Sequence, residues 1–92
     1  MTLAELFKDL TEDKHCTGHL AVDENGEDCH EFTPDAKKWC AIGWVLRAFP
    51  MHAECELNKL EAHANSLGYD TAGTANDEMG YAFIKSIQEN CK

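Results

Sequence analysis

The chain has 92 residues, a length that allows one domain and excludes two, and 43% of them are hydrophobic, which argues against a disordered chain. Eight basic and seventeen acidic residues give a net charge of −9. Direct binding to nucleic acid or to an anionic membrane surface is therefore not expected. A charge of this sign favours a basic partner, although it can equally serve only to keep the chain in solution.

The N-terminal residues and the cysteines indicate the expected location of the protein. Residues 1–5 carry no basic stretch followed by an apolar run, and no segment has the length to cross a bilayer, so we expect neither a signal peptide nor a membrane span. The expected location is the reducing cytoplasm. The odd set of five cysteines has no regular framework and is expected to consist of thiols: Cys16, Cys29, Cys40, Cys55 and Cys91.

The first two predicted elements are a helix and a hairpin. Residues 2–13 place leucines and a phenylalanine on one helical stripe, and Thr2 with Glu5 has the spacing of a capping box. Residues 15–32 indicate a β-hairpin because Asn25-Gly26 favours a two-residue type I′ turn. That turn places Val22 opposite Cys29 and Leu20 opposite Glu31. A two-stranded ribbon is unstable alone, so we expect it to lie against the helices.

The clearest predicted helix spans residues 34–49. Thr33 is a plausible N-cap, Pro34 suits the first helical position, and Pro50 ends the helix. From residue 39 to residue 49 only Arg47 is charged, which predicts a central helix buried on all sides. Gly43 is expected to let a neighbouring segment approach closely.

Two further helices complete the predicted fold. Residues 52–67 carry one clean apolar face, and Gly68 suits the position after the helix. A loop over residues 68–75 precedes a last helix at about 77–90, which Gly80 weakens. We therefore predict a single α+β domain over residues 1–92, small and mainly helical, with about four helices and one β-hairpin.

Three stretches of the chain together resemble a known type of domain. They are residues 18–26 (GHLAVDENG), residues 33–36 (TPDA) and residues 39–48 (WCAIGWVLRA). They resemble a small domain of bacterial and phage genomes that pairs a GA-x-A-x-D-x-x-G hairpin with a W-C-x-x-G-A-L-x-R-A helix. Residues 75–78 (ANDE) are similar to the W-N-D segment of that domain.

The resemblance covers most of the chain, and only the central helix motif is specific. Trp44 stands where the domain has alanine, and Ala75 stands where it has tryptophan, so we expect this chain to pack or bind differently. The resemblance implies a compact helical fold with a hairpin and a phage or mobile-element context. It implies no activity and no functional residue.

A cluster of histidines and cysteines raises the question of a metal. Zinc takes four such ligands in a tetrahedron, but a strand would point Cys29 and His30 to opposite faces. We therefore expect packed thiols and surface histidines and no metal or cofactor, with a structural zinc-binding domain as the alternative. The candidate ligands of that alternative are Cys16, His19, Cys29, His30 and Cys40.

No pattern in the sequence indicates an enzyme. Cys40 lies on an apolar helix in an acidic chain, whereas a nucleophilic thiolate needs an electropositive and partly open site. Ser66 and Ser86 lack the context of a nucleophile elbow, and no phosphate-binding loop is present. The carboxylates lie on polar faces. No catalytic residue is predicted.

The most informative feature is a run of acids without a lysine or arginine. It consists of Asp23, Glu24, Glu27, Asp28, Glu31 and Asp35. On a hairpin, alternate acids project about 6–7 Å apart, which is close to the phosphate spacing of a nucleic-acid strand. The run is therefore the predicted partner-binding surface, and its alternative role is a charged strand edge that prevents aggregation.

These observations favour an interaction protein. The expectation is a small acidic phage-type protein that inhibits a basic host protein acting on nucleic acid, such as a CRISPR effector, by analogy with anti-CRISPR proteins. The place of action would then be the host-cell cytoplasm.

Overall fold

The computed structural model describes residues 2–92 as a mainly helical α+β fold with one antiparallel pair of short strands, as the sequence predicted. The connection between the strands, residues 23–37, is called the acidic loop below. The elements in chain order are α1 (Leu3–Phe7), a 3-10 turn (Glu12–Lys14), β1 (Ala21–Val22), β2 (Lys38–Trp39), α2 (Ala41–Ala48), α3 (Glu54–Ser66), α4 (Ala72–Met79) and α5 (Tyr81–Asn90).

The helices enclose one apolar core. Helix α1 lies against α5, and α4 lies against α2, α3 and α5. Removal of these side chains from water is the main force that holds the helices together. The largest fully buried apolar side chains come from four segments: Phe7, Leu10, Val45, Leu60, Phe83, Ile84 and Ile87.

Helix α1 begins as predicted but ends sooner. The side chain of Thr2 accepts a hydrogen bond from the backbone of Glu5, and the Glu5 carboxylate accepts one in return, which confirms the capping box. The predicted span 2–13 is wrong, because the helix stops at Phe7. Past that point Leu10 turns into the core and is fully buried.

Side chains from other helices satisfy the carbonyls that this early stop leaves free. The indole of Trp44 donates to the Leu6 carbonyl at 2.8 Å. Gln88 donates to the Phe7 carbonyl at 2.9 Å, and the hydroxyl of Tyr81 donates to the Leu10 carbonyl at 2.8 Å. A helix can end early inside a fold when tertiary donors replace the missing intrahelical ones.

The strand pairing differs from the predicted hairpin over residues 15–32. Strand β1 pairs with β2, with Ala21 opposite Trp39 and Val22 opposite Lys38, and Val22 also forms an isolated bridge to Asp28 instead of the predicted pair with Cys29. The carbonyl of Val22 accepts from Lys37 at 2.8 Å. The chain leaves β1 after Cys29, whose amide donates to the Ala21 carbonyl at 3.1 Å, and residues 37–40 pair with the other edge of the strand.

The central helix also begins later than predicted. Thr33 and Pro34 form turns instead of a helix start, and α2 begins at Ala41 with Cys40 as its N-cap. The pairing of β2 explains the difference, because the Cys40 amide donates to the Leu20 carbonyl at 3.1 Å. The helix is not buried on all sides, since Arg47 and Ala48 are exposed.

Close contact between α2 and the segment before β1 depends on Gly43. A Cβ atom at this position would lie 2.0 Å from the Leu20 carbonyl oxygen. The predicted role of Gly43 is therefore confirmed, and it anchors β1, which leads into the acidic loop.

The structure has two helices, α4 and α5, where the sequence predicted a single last helix. Helix α3 matches its predicted span within two residues, and Gly68 takes the expected positive φ of 94° after it. Helix α4, however, begins at Ala72, inside the predicted loop. Gly80, at φ 62° and ψ −144°, separates α4 from α5, so it breaks the predicted helix instead of only weakening it.

Candidate functional site

The acidic loop begins with a tight turn organised by Asp23. The Asp23 amide donates to the Glu27 carbonyl at 2.9 Å, and the Gly26 amide donates to the Asp23 carbonyl at 3.0 Å. The Asp23 carboxylate accepts from the amides of Asn25 and Glu27 at 2.9 and 3.0 Å. Gly26 has φ 80°, whereas Asn25 does not take the positive φ of a type I′ turn. The turn is therefore a three-residue loop with glycine at its left-handed position.

The turns of the loop expose most of its carboxylates. Asp23 is half-buried because it holds the turn, and the predicted site residues Glu24, Glu27, Asp28 and Asp35 are exposed. The loop also folds back on itself, so that Asp35 lines the same cleft, of about 350 Å³, as Asp23, Glu24 and Lys37. Strand β1 ends before the first acid, so the expected 6–7 Å strand ladder is absent from the loop and turns place the charges instead.

The acids of this loop are not neutralised by basic side chains. Within residues 2–92 no lysine or arginine nitrogen lies within 4.0 Å of a carboxylate oxygen. The two ion-pair contacts found there involve histidines. Nδ1 of His19 lies 3.3 Å from Asp28, and Nδ1 of His30 lies 3.9 Å from Glu31. The loop thus presents a concentrated negative charge.

Glu31 departs from the sequence prediction. It was expected to project from a strand opposite Leu20, but it lies in a turn and is only 8% exposed. The indole of Trp39 donates to the Glu31 carbonyl at 3.2 Å, which fixes this part of the loop against the end of β2. Burial of a glutamate in the middle of a charged surface loop depends on tertiary packing and leaves no sequence signal.

The candidate metal ligands do not form a ligand set. Among residues 2–92, no group of three or more histidine, cysteine or acidic side chains has the geometry to hold a metal ion. His19 faces Asp28, and the Cys16 thiol points to the carbonyl of His19 at 3.6 Å. Cys40 is buried as the N-cap of α2, where its sulfur accepts from the Gly43 amide at 3.3 Å. That the protein needs no metal stays a prediction.

The thiols in this region are held in their neutral form. Burial raises the pKa of Cys16 to about 12, and the neighbouring Cys40 adds to the effect. Burial also raises the pKa of Cys40. For Cys29, burial raises the pKa first, and the carboxylates of Asp23 and Asp28 raise it further. A thiol with a raised pKa is a poor nucleophile at neutral pH.

Sequence reasoning missed a buried polar hub centred on Asn76 of α4. Asn76 is 1% exposed, and its oxygen accepts from His15 Nε2 at 2.6 Å and from the Ala41 amide at 3.1 Å. Its nitrogen donates to the Cys16 carbonyl at 3.1 Å. The adjacent Asp77 accepts from the Gly18 amide at 2.8 Å. The Asn-Asp pair thus joins α4 to the start of α2 and to the segment before β1.

The Asn76-Asp77 dipeptide is the signal that could have located this hub. It lies where the predicted loop, residues 68–75, meets the predicted last helix, at about 77–90. In the observed helix α4, Asn76 follows the buried Ala75 and lies on the packed side of the helix. A buried asparagine must satisfy its amide, and it does so here with backbone groups of two other segments.

A histidine and a serine also meet, between α3 and α5. His63 Nε2 lies 2.9 Å from Ser86 Oγ, and Ser86 donates its own proton to the Phe83 carbonyl at 2.6 Å. In this arrangement the Ser86 hydroxyl accepts from His63 Nε2 while it donates to the Phe83 carbonyl. The contact joins α3 to α5.

Comparisons of the chain with protein-family models, with curated proteins and with solved structures find no match. Among the described helices, none is both long and apolar enough to cross a membrane.

Proposed function

We propose that this chain is a small acidic interaction protein that binds a basic surface of a partner protein through the acidic loop. One observation supports this most: Glu24, Glu27, Asp28 and Asp35 are all exposed on one loop, and no lysine or arginine of residues 2–92 pairs with a carboxylate. Charges left unpaired at a surface remain available to a partner.

The proposed partner is a basic host protein that acts on nucleic acid, for example a CRISPR effector. The net charge of −9 repels nucleic acid itself but attracts the groove that binds it. The protein would then act as an inhibitor of the anti-CRISPR type, in the cytoplasm of a host cell, without catalysis. Its acids compete for the groove by their charge density, since they follow turns and not the regular repeat of a phosphate backbone.

Long-range attraction explains how such a protein would find its target. Four exposed carboxylates facing a basic groove accelerate association, and salt screens the effect over about 10 Å at 0.1 M. Exposed charges contribute little to folding stability, so the acids of the loop can be changed without loss of the fold.

The experiment begins with a partner captured from bacterial host extract and then measures association rates at two salt concentrations. A variant with Glu24, Glu27, Asp28 and Asp35 all replaced by Lys is expected to associate about tenfold more slowly or worse than wild type at low salt. Asp23 and Glu31 are left unchanged because one holds the turn and the other is buried.

The control replaces four exposed acids elsewhere, which changes the net charge by the same amount. These are Asp9, Asp70, Glu78 and Glu89, and all are exposed. If the loop variant and the control variant associate at equal rates, or if the loop variant associates like wild type, the loop is not the binding surface and the proposal is wrong.

A further inference from the structure

A shallow hollow of about 530 Å³ opens where the acidic loop meets α2. Glu31, Phe32 and Pro34 line it on the loop side, and Trp39 and Arg47 line it on the other side. Its volume lies in the range of small-ligand sites. It also holds aromatic and arginine side chains, which are enriched where proteins bind each other.

Glu31 is the unusual member of this hollow. Its side chain is only 9% exposed, and within residues 2–92 its carboxylate accepts no hydrogen bond; the nearest ring nitrogen is His30 Nδ1 at 3.9 Å, which itself accepts from the Phe32 amide. The Glu31 oxygens are not sealed from water, because the one fully buried side-chain oxygen or nitrogen of residues 2–92 without a hydrogen bond is Glu56 Oε2. A partner brought from outside the chain would provide the missing hydrogen bonds.

Arg47 lines the same hollow but donates no hydrogen bond to the Glu31 carboxylate. Its guanidinium carbon lies 4.9 Å from the ring centres of both Trp39 and Trp44, so the side chain is held against the two indoles. It comes no closer than 4.0 Å to any carboxylate of residues 2–92. Because Arg47 covers the Trp39 ring, the more exposed aromatic surface is Phe32, which is 47% exposed and has the His30 ring 5.0 Å from its centre on one side.

From this geometry we propose that the hollow binds an arginine side chain of the basic partner, with its guanidinium paired to Glu31 and its flat face against Phe32. A guanidinium donates two parallel hydrogen bonds to a carboxylate and stacks on aromatic rings, which an ammonium group cannot do equally well. The net charge of −9 disfavours an anion at Arg47 as the alternative occupant. The inference rests on the proposed function, since it specifies how the acidic loop would recognise one side chain of its partner.

The test uses butylguanidinium as the probe and nuclear magnetic resonance of the two indole N–H groups as the readout. The Trp39 indole N–H donates to the Glu31 carbonyl, so its signal reports on the hollow. The Trp44 indole N–H donates to the Leu6 carbonyl and serves as the internal control. Titration is expected to move the Trp39 signal to saturation and to leave the Trp44 signal in place, whereas butylammonium should bind more weakly.

Three variants test whether Glu31 is the side chain that binds the guanidinium probe. Glu31→Gln should weaken binding about tenfold or more, since charge-assisted hydrogen bonds are lost, while Glu27→Gln removes the same charge from the exposed turn and should leave binding unchanged. Arg47→Gln should preserve or strengthen binding.

Several results would overturn the inference: equal weakening by Glu31→Gln and Glu27→Gln, loss of binding in Arg47→Gln, equal affinity for butylammonium, or no movement of the Trp39 signal. The probe experiment uses the isolated protein, so its outcome is independent of the association rates measured with the captured partner. The hollow can therefore fail while the acidic loop still attracts a partner, and the loop can fail while the hollow still binds guanidinium.

Discussion

The helical core and the acidic loop of this protein are ordered by different interactions. In the core, Phe7, Phe83 and Ile87 are completely buried, and apolar packing holds the helices. In the loop, backbone hydrogen bonds around Asp23 and the indole of Trp39 define the path of the chain, and most side chains are exposed. Apolar packing thus stabilises the core, whereas the exposed acids of the loop contribute little to stability and can be changed without loss of the fold.

The largest expected effect distinguishes two phenylalanines. Phe83→Ala should lower the free energy of unfolding by about 3–5 kcal/mol, because it opens a cavity in the core. Phe32→Ala removes the same side chain from the loop, where it is 47% exposed, and should change stability by less than about 0.5 kcal/mol. Chemical denaturation of both variants measures the difference, and similar losses would refute the division between core and loop.

The next effect concerns the hub around Asn76, which joins α4 to the start of α2 and to the segment before β1. Asn76→Ala leaves the Ala41 amide and the Cys16 carbonyl without their partner and should cost about 3 kcal/mol. Asn58→Ala, at an exposed position of α3, is the matched control and should be nearly neutral. If thermal unfolding finds the two variants equally stable, the hub does not contribute to the stability of the fold.

A smaller effect is the dependence of folding stability on pH, to which His15 contributes. Burial lowers the pKa of His15 below its ordinary value of 6.5, although the hydrogen bond to Asn76 acts in the opposite direction. The unfolded chain then takes up a proton before the folded chain does, so stability is complete above pH 6.5 and declines as pH falls from there toward the lowered pKa. His15→Gln should flatten part of this decline, whereas His52→Gln, at an exposed site, should not. Equal pH profiles for both variants would contradict the assignment.

The sequence predicted those features whose causes are local. The capping box of Thr2 and Glu5, the apolar face of α3 and the positive φ of Gly68 each depend on residues within one or two turns. The close approach at Gly43 was also predicted, because a glycine in an apolar helix favours contact with a neighbour.

The features that the sequence did not predict depend on distant partners. Thr33-Pro34 has the pattern of a helix start, but the pairing of β2 with β1 holds the following residues extended. The carbonyls that end α1 accept from Trp44 and Gln88, which lie far along the chain. At the candidate site, the exposed acids were predicted correctly by composition, whereas the burial of Glu31 was not.

One measurement tests the central claim, that the acidic loop is the binding surface and the helices only support it. Amide hydrogen exchange of the chain, alone and in complex with its captured partner, compares protection in residues 23–37 with protection in α3. We expect slower exchange in the acidic loop on binding and unchanged exchange in α3. Protection that appears on α3 while residues 23–37 exchange as in the free protein would contradict the account.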